Sequence, residues 1–330
     1  MRDFKMIFIL VLISIGTKYA PAQSPQQTDS KQLAESRELT SRVANLYREH
    51  KYDEALPLAK RALELGEEAV GHKDPRLIVL LINLGDLSEA TVDFDRAKMC
   101  FERAVNIGET SFGQDDPRIT RALDELGYLM SITGDYGKAA DLLSRSLAIK
   151  EKSFGPLNVE VARAAYSLAD VYRRSRELAK AESFYEKAIS LFEQSGRKAD
   201  DEFVELLRRY LIVLTTENKK TEAALLQSKI ASLSAEPGVV EGGVVNGWAV
   251  KLVQPSYPAI ALSVHASGEV AVQVLIDENG KVISARAITG HPLLQAAAIE
   301  AAKASRFTPT LKSGAAVKVR GMIIYNFVLR

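Results

Sequence analysis

From about residue 34 to residue 234 apolar residues recur every three or four positions, the spacing of helices that each bury one stripe. Beyond residue 247 the period changes. Val270, Val272, Val274 and Ile276 alternate with Glu269, Ala271, Gln273 and Leu275, which predicts a half-buried strand. Asp277-Glu278-Asn279-Gly280 follows, and Asn-Gly is the dipeptide that best accepts positive φ in a tight hairpin turn. The pattern then predicts a second strand over 281–289, an alanine-rich helix over 292–305 that Pro309 keeps from continuing, and a long last strand over 317–329. Between the two regimes, residues 235–247 are rich in glycine and read as a linker.

The helical stretch repeats. Gly71, Gly113 and Gly155 are 42 residues apart, and Ala55, Ala97, Ala139, Ala181 and Ala223 keep the same interval. Tyr52, Phe94, Tyr136 and Leu178 precede the first four alanines by three residues, and Leu65, Ile107, Ile149, Leu191 and Leu233 share the register. Each unit divides into two helices. Asp74-Pro75 and Asp116-Pro117 place a capping acceptor before a proline suited to a first turn, and the repeated glycine suits the end of the second helix. Alanine lets two helices approach closely, and the aromatic beside it fills the remaining gap. One such pair cannot bury its apolar face alone, so stacking must supply the stability. Cys100 shares a column with Leu58, Leu142 and Phe184, which marks its thiol as packing.

These features resemble the tetratricopeptide repeat in the 42-residue form of kinesin light chain, as in Tyr136-Gly-Lys-Ala-Ala-Asp-Leu-Leu and Leu178-Ala-Lys-Ala-Glu-Ser-Phe-Tyr. The resemblance implies that the first helices line a concave groove where an Asn before the Leu-Gly step holds peptide backbone. Asn83 stands in that place, and Glu125 and Ser167 are its equivalents.

The C-terminal order of strand, strand, helix, strand resembles the TonB C-terminal domain. The residues that carry the likeness are Pro255, Tyr257 and Pro258, then Gly268, then Asp277 and Gly280 in Ile276-Asp-Glu-Asn-Gly-Lys-Val, and Arg306, Phe307 and Pro309 in Arg-Phe-Thr-Pro. The family implies binding of an outer-membrane transporter segment by strand addition. The partner-facing residues carried over are Val317, Val319, Ile323, Tyr325 and Phe327 on the last strand. That edge has three uses open to it: a partner peptide, a second copy of the chain in a homodimer, or cover by the linker. TonB proteins also carry a membrane helix with a functional histidine and a proline-rich spacer. Here the N-terminal apolar run has no histidine and helical repeats replace the spacer.

The expected architecture is therefore multidomain: an all-α tetratricopeptide-repeat solenoid over 34–234, a linker over 235–247 and a small α+β (ββαβ) TonB C-terminal-like module over 248–330. Ahead of these, Arg2 and Lys5, the apolar run 6–16 and Ala20-Pro21-Ala22 have the three-part layout of a signal peptide over 1–22, with a polar lead-in over 23–33. Cleavage after Ala22 would leave a periplasmic protein, and an uncleaved segment would anchor it in the inner membrane facing the periplasm. A formal net charge of +1 gives no drive toward nucleic acid.

His50, His72, His265 and His291 are scattered, each read as a surface or capping residue. A single cysteine allows no intrachain disulfide, and no phosphate loop or catalytic constellation appears. The sequence thus predicts a non-enzymatic protein–protein adaptor without metal, cofactor or small-molecule substrate. The alternative is an anchored TonB-type energy transducer for outer-membrane transport.

Overall fold

The computed structural model describes residues 31–196, 201–234, 238–312 and 314–329. The expected signal segment lies outside them. The chain divides into two compact units, Met1–Ser153 and Phe154–Arg330.

The first unit holds α1 (Lys31–Arg48), α2 (Tyr52–Val70), α3 (Leu77–Ala90), α4 (Phe94–Phe112), α5 (Thr120–Ile132) and α6 (Tyr136–Phe154). Small residues set the helix spacing. Ala55, Ala97 and Ala139 are fully buried, and a Cβ on Gly108 would stand 2.7 Å from Ile119. Asp93 caps α4 by accepting from the Arg96 N–H, which satisfies one of the donors a helix start leaves open. Gly71 and Gly113 end α2 and α4 at φ +79° and +95°, a conformation that suits a residue without Cβ. Pro117 opens a short 3₁₀ turn, Pro117–Ile119, ahead of α5, whereas Pro75 precedes α3 by two residues. Ion pairs share the 42-residue period: Glu67 meets Arg103, and Glu109 meets Arg145. Cys100 is buried in α4, where desolvation pushes its thiol up to about 11.

The second unit begins with α7 (Val159–Arg174), α8 (Leu178–Gln194), α9 (Asp201–Thr216) and α10 (Lys220–Leu233). It continues with β1 (Val239–Val244), β2 (Ala249–Lys251), α11 (Ala259–Ser263), β3 (Gly268–Ile276) and β4 (Val282–Ala287). The last elements are α12 (Pro292–Ala304), β5 (Arg306–Phe307), β6 (Thr310–Lys312) and β7 (Ala315–Phe327). The main sheet runs β1-β7-β3-β4, with β6 also on β7, and β2 pairs with β5 apart from it. β3 is antiparallel to β4 and β7, and β1 is parallel to β7. Val270, Val272 and Val274 on β3, Ile323 and Tyr325 on β7, and Leu294 and Ala298 on α12 form its core.

Three features depart from the sequence pattern. Residues 239–244 of the expected linker form strand β1. β3 is buried on both faces instead of one: Ala271 is fully covered and Gln273 nearly so, because the second face of the sheet meets α9 and α10. The hairpin turn is not the doubly positive kind, since only Gly280 takes positive φ, at +79°. Asp277 Oδ1 instead accepts from the N–H groups of Asn279 (3.0 Å) and Lys281 (2.8 Å), and the register shifts beside the turn. The Phe307 N–H donates to the Gly280 carbonyl (2.9 Å). A side chain at Gly280 would strike the Phe307 carbonyl.

Gly85 lies against the buried ring of Phe101, whereas a Cβ on Gly137 would meet nothing within 4 Å. Gly85→Ala is expected to destabilise by about 1–3 kcal/mol, and Gly137→Ala, in the first turn of α6, to stabilise by about 0.5 kcal/mol. Urea unfolding followed by far-ultraviolet circular dichroism checks both.

Candidate functional site

Charged residues are spaced along α7 and α9 so that they share a helix face: Asp170, Arg173 and Arg174 on α7, and Glu205, Arg208 and Arg209 on α9. Arg173, Glu205, Arg208 and Arg209 are all less than 9% exposed. Buried guanidiniums of this kind persist only where partners compensate their lost hydration. Asp170 is the central partner. It accepts from Tyr185 Oη (2.8 Å), from Arg173 Nε (3.1 Å) and from Arg209 Nη1. Burial opposes charge on Asp170, but the guanidiniums of Arg209 and Arg173 outweigh it and hold the carboxyl well below the usual carboxylate range. Burial and then Asp170 push the Tyr185 hydroxyl up, so it remains a donor.

The same arginines reach the C-terminal sheet. Arg209 Nη2 donates to the Ile288 carbonyl (2.6 Å) and Arg174 Nη2 to the Gly290 carbonyl (3.5 Å), so two guanidiniums read alternate main-chain oxygens. Glu269 at the start of β3 stands 3.8 Å from both Arg173 and Arg176. Arg286 on β4 stands 3.4 Å from Glu205. Glu241 on β1 meets Arg320 (3.2 Å) and lies 3.6 Å from Arg208, and its carbonyl accepts from Gln227 on α10 (3.1 Å). Arg208, Leu211, Gln227, Ile230, Glu241 and Met322 line a small cavity there. Every residue of α9 from Glu202 to Leu214 is buried, which an amphipathic helix with one packed face would not show. The sheet module covers its other face.

The expected docking edge is occupied. On one side β7 pairs with β3 from Val319 to Phe327. On the other, β1 pairs with residues 318–322, and β6 forms a hairpin with residues 315–317 at the start of the strand. Asn246 extends the cover: its Oδ1 accepts from the Ile324 N–H (2.8 Å) and its Nδ2 donates to the Ile324 carbonyl (2.7 Å). The linker is thus the occupant among the three uses left open, and strand addition along β7 is corrected. The side chains carried over to a partner are corrected too. Val319, Ile323, Tyr325 and Phe327 are at most 4% exposed in the module core, because alternation turns them toward α12. Val317 is half-buried beside Thr310.

Other residues of the likeness have structural duties. Tyr257 donates its hydroxyl to the Ala266 carbonyl and sets its ring edge-on to Phe327 at 5.4 Å. Pro258 precedes α11, Gly268 starts β3 at φ +114°, and Phe307 joins the core. Arg306 donates to the Ser305 carbonyl (2.8 Å), and Pro255 and Pro309 flank the short β2–β5 pair in sequence.

Asn83 is half-buried on α3, Glu125 half-buried on α5 and Ser167 exposed on α7. One more step of 42 reaches Arg209, the residue that grips the Ile288 carbonyl. That step was available in the sequence. Its partner in the sheet module was not, because Ile288 contributes only its carbonyl. Among the described residues no group of three or more His, Cys, Asp or Glu is arranged to hold a metal.

The class defined by this arrangement is a helical-repeat scaffold carrying a small sheet module. Residues 253–329 match the family described as Gram-negative bacterial TonB protein C-terminal, and 36–110, 89–152 and 118–194 match the tetratricopeptide repeat. The chain is thus a tetratricopeptide-repeat protein with a TonB C-terminal domain.

Its fold is similar to that of a Podosopora anserina kinesin light chain with nearly identical TPR-like repeats, at 16% identity and a TM-score of 0.54, covering 60% of this chain and 94% of that one. BtubC (BKLC) from P. vanneervenii is similar at 15% identity and a TM-score of 0.55, covering 62% and 81%. A Rap protein complexed with Competence and Sporulation Factor is similar at 16% identity and a TM-score of 0.51, covering 63% and 55%. At these identities the likeness is one of fold. No curated protein matches the chain.

His291, at the start of α12, accepts the Leu293 N–H at Nδ1 (3.2 Å) and is 6% exposed. Burial, with Arg174 nearby, lowers it to about 4 from an ordinary 6.5. Below the ordinary value the unfolded chain takes up a proton that the folded chain refuses. This contribution is therefore intact above about 6.5 and drains away as the pH falls toward about 4, by about 2–3 kcal/mol. His291→Asn keeps a capping acceptor and is expected to flatten that window. Denaturant midpoints read at Trp248, the chain's single tryptophan, check it, and equal pH dependence in both proteins refutes it.

Proposed function

We propose that this protein is an exported, non-enzymatic adaptor of the Gram-negative cell envelope that binds a partner protein through the groove side of its repeats. Repeats over 34–234 form the scaffold, residues 235–247 connect, and 248–330 form the sheet module. The carrying observation is the Arg209–Ile288 contact. A residue in the column of Asn83 and Glu125 holds main-chain carbonyl there, the kind of grip a peptide groove needs. In the first unit, Asn83 and Glu125 are the positions offered to an outside protein or peptide. The TonB C-terminal match supports the envelope setting, and the layout of residues 1–22 supports export with cleavage after Ala22. Among the described residues no helix is long and apolar enough to cross a membrane.

Three measurements test this. N-terminal sequencing of the protein recovered from periplasm is expected to begin at Gln23, and a chain retaining Met1 overturns cleavage. A photo-crosslinking residue at Asn83 is expected to capture a defined partner. Glu125→Arg, with an unchanged circular dichroism spectrum as the fold control, should weaken that partner's binding about tenfold. Unchanged affinity overturns the groove assignment.

A further inference from the structure

The geometry points to reversible docking: the C-terminal module is a releasable cover for the α7–α9 face, held there by charged and main-chain contacts and freed when those are weakened. This goes beyond the adaptor reading and does not depend on finding its partner.

Two observations carry it. The module has a core cluster of its own. That cluster runs from Val245, at the end of the linker, to Phe327 and takes no member from the helices. Leaving α9 therefore keeps that cluster whole and uncovers the second face of the sheet, Ala271, Gln273 and Met322. Beside the apolar packing of Leu211 and Ile230 near Met322, a set of polar contacts ties the module to the helices: Arg209 to the Ile288 carbonyl, Arg174 to the Gly290 carbonyl, Glu269 between Arg173 and Arg176, Arg286 to Glu205, and Glu241 beside Arg208. The four pairs between charged side chains across this interface are 3.4–3.8 Å long. Loose ion pairs of this kind weaken as salt screens them. Interfaces between domains that rest on such contacts permit relative motion.

The helix side is prepared for both states. Arg173 and Arg209 keep Asp170 as partner whether or not the module is present, so release strands neither guanidinium without a counter-charge. The tether is short. α10 ends at Leu233 and β1 begins at Val239, and β1 stays with β7 when the module moves. Release uncovers Arg173, Glu205 and Arg209 together with the second face of the sheet, where Gln273 and Met322 lie.

The test uses the full chain with spin labels at exposed Lys187 on α8 and Lys303 on α12, in a Cys100→Ala background, with distances read by double electron–electron resonance. At 50 mM NaCl a single narrow distance is expected. At 1 M NaCl a broad second population should grow, with unchanged circular dichroism. Glu269→Gln and Arg286→Gln lie on the module and leave the Asp170 cluster intact. Together they should raise the released fraction at low salt by about tenfold. One narrow distance at both salts and in the double variant overturns the proposal, since the module is then a fixed part of the unit. A broad distribution of the unaltered chain at 50 mM NaCl overturns it equally, since the module is then not docked at rest.

Discussion

The carboxylate of Asp170, shared by Arg173, Arg209 and Tyr185, is the constraint on which the second unit depends. Without it Arg173 and Arg209 would keep only the looser carboxylates of Glu269 (3.8 Å) and Glu205 (3.5 Å) against the cost of burying a charge. With it they are fixed in orientation and retain donors for a second task. Arg209 spends its second Nη on the Ile288 carbonyl. A packing solution for α7 and α9 is thereby also a docking solution for the sheet.

The edge of β7 shows the same economy. A bare strand edge invites pairing with other chains, and here the segment between the modules supplies that pairing itself. Gly242 and Gly243 make it feasible. A Cβ on Gly242 would stand 2.7 Å from Val319, and Gly243 takes φ +63° against Gln227. Asn246 then imitates one more residue of strand with its amide. Two surfaces with the chemistry of recognition, the charged face of α7–α9 and the last strand, are thus both engaged within the chain.

Much of the fold was legible in the residues. The 42-residue columns located the helix pairs because small residues are demanded wherever two helices touch, and Ala97 and Ala139 are buried as that logic requires. The alternation along 269–276 located β3, and Pro292 the start of α12. The site was less legible. Asn83 and Glu125 were read from their column, but Arg209 in the same column draws its meaning from a carbonyl 79 residues away, and a backbone oxygen leaves no signature in side-chain pattern.

The sequence by itself determined the local periods, the places where helices end and strands turn, and the two module types, because these follow from nearest-neighbour sterics and repeated burial. It did not determine which faces of those elements stay open. The second face of β3 and the outer face of α9 carry Gln273, Glu205 and Arg209, residues that read as solvated by composition. Only the tertiary structure puts them against each other, where a charge found beside its counter-charge can be buried as an isolated one cannot.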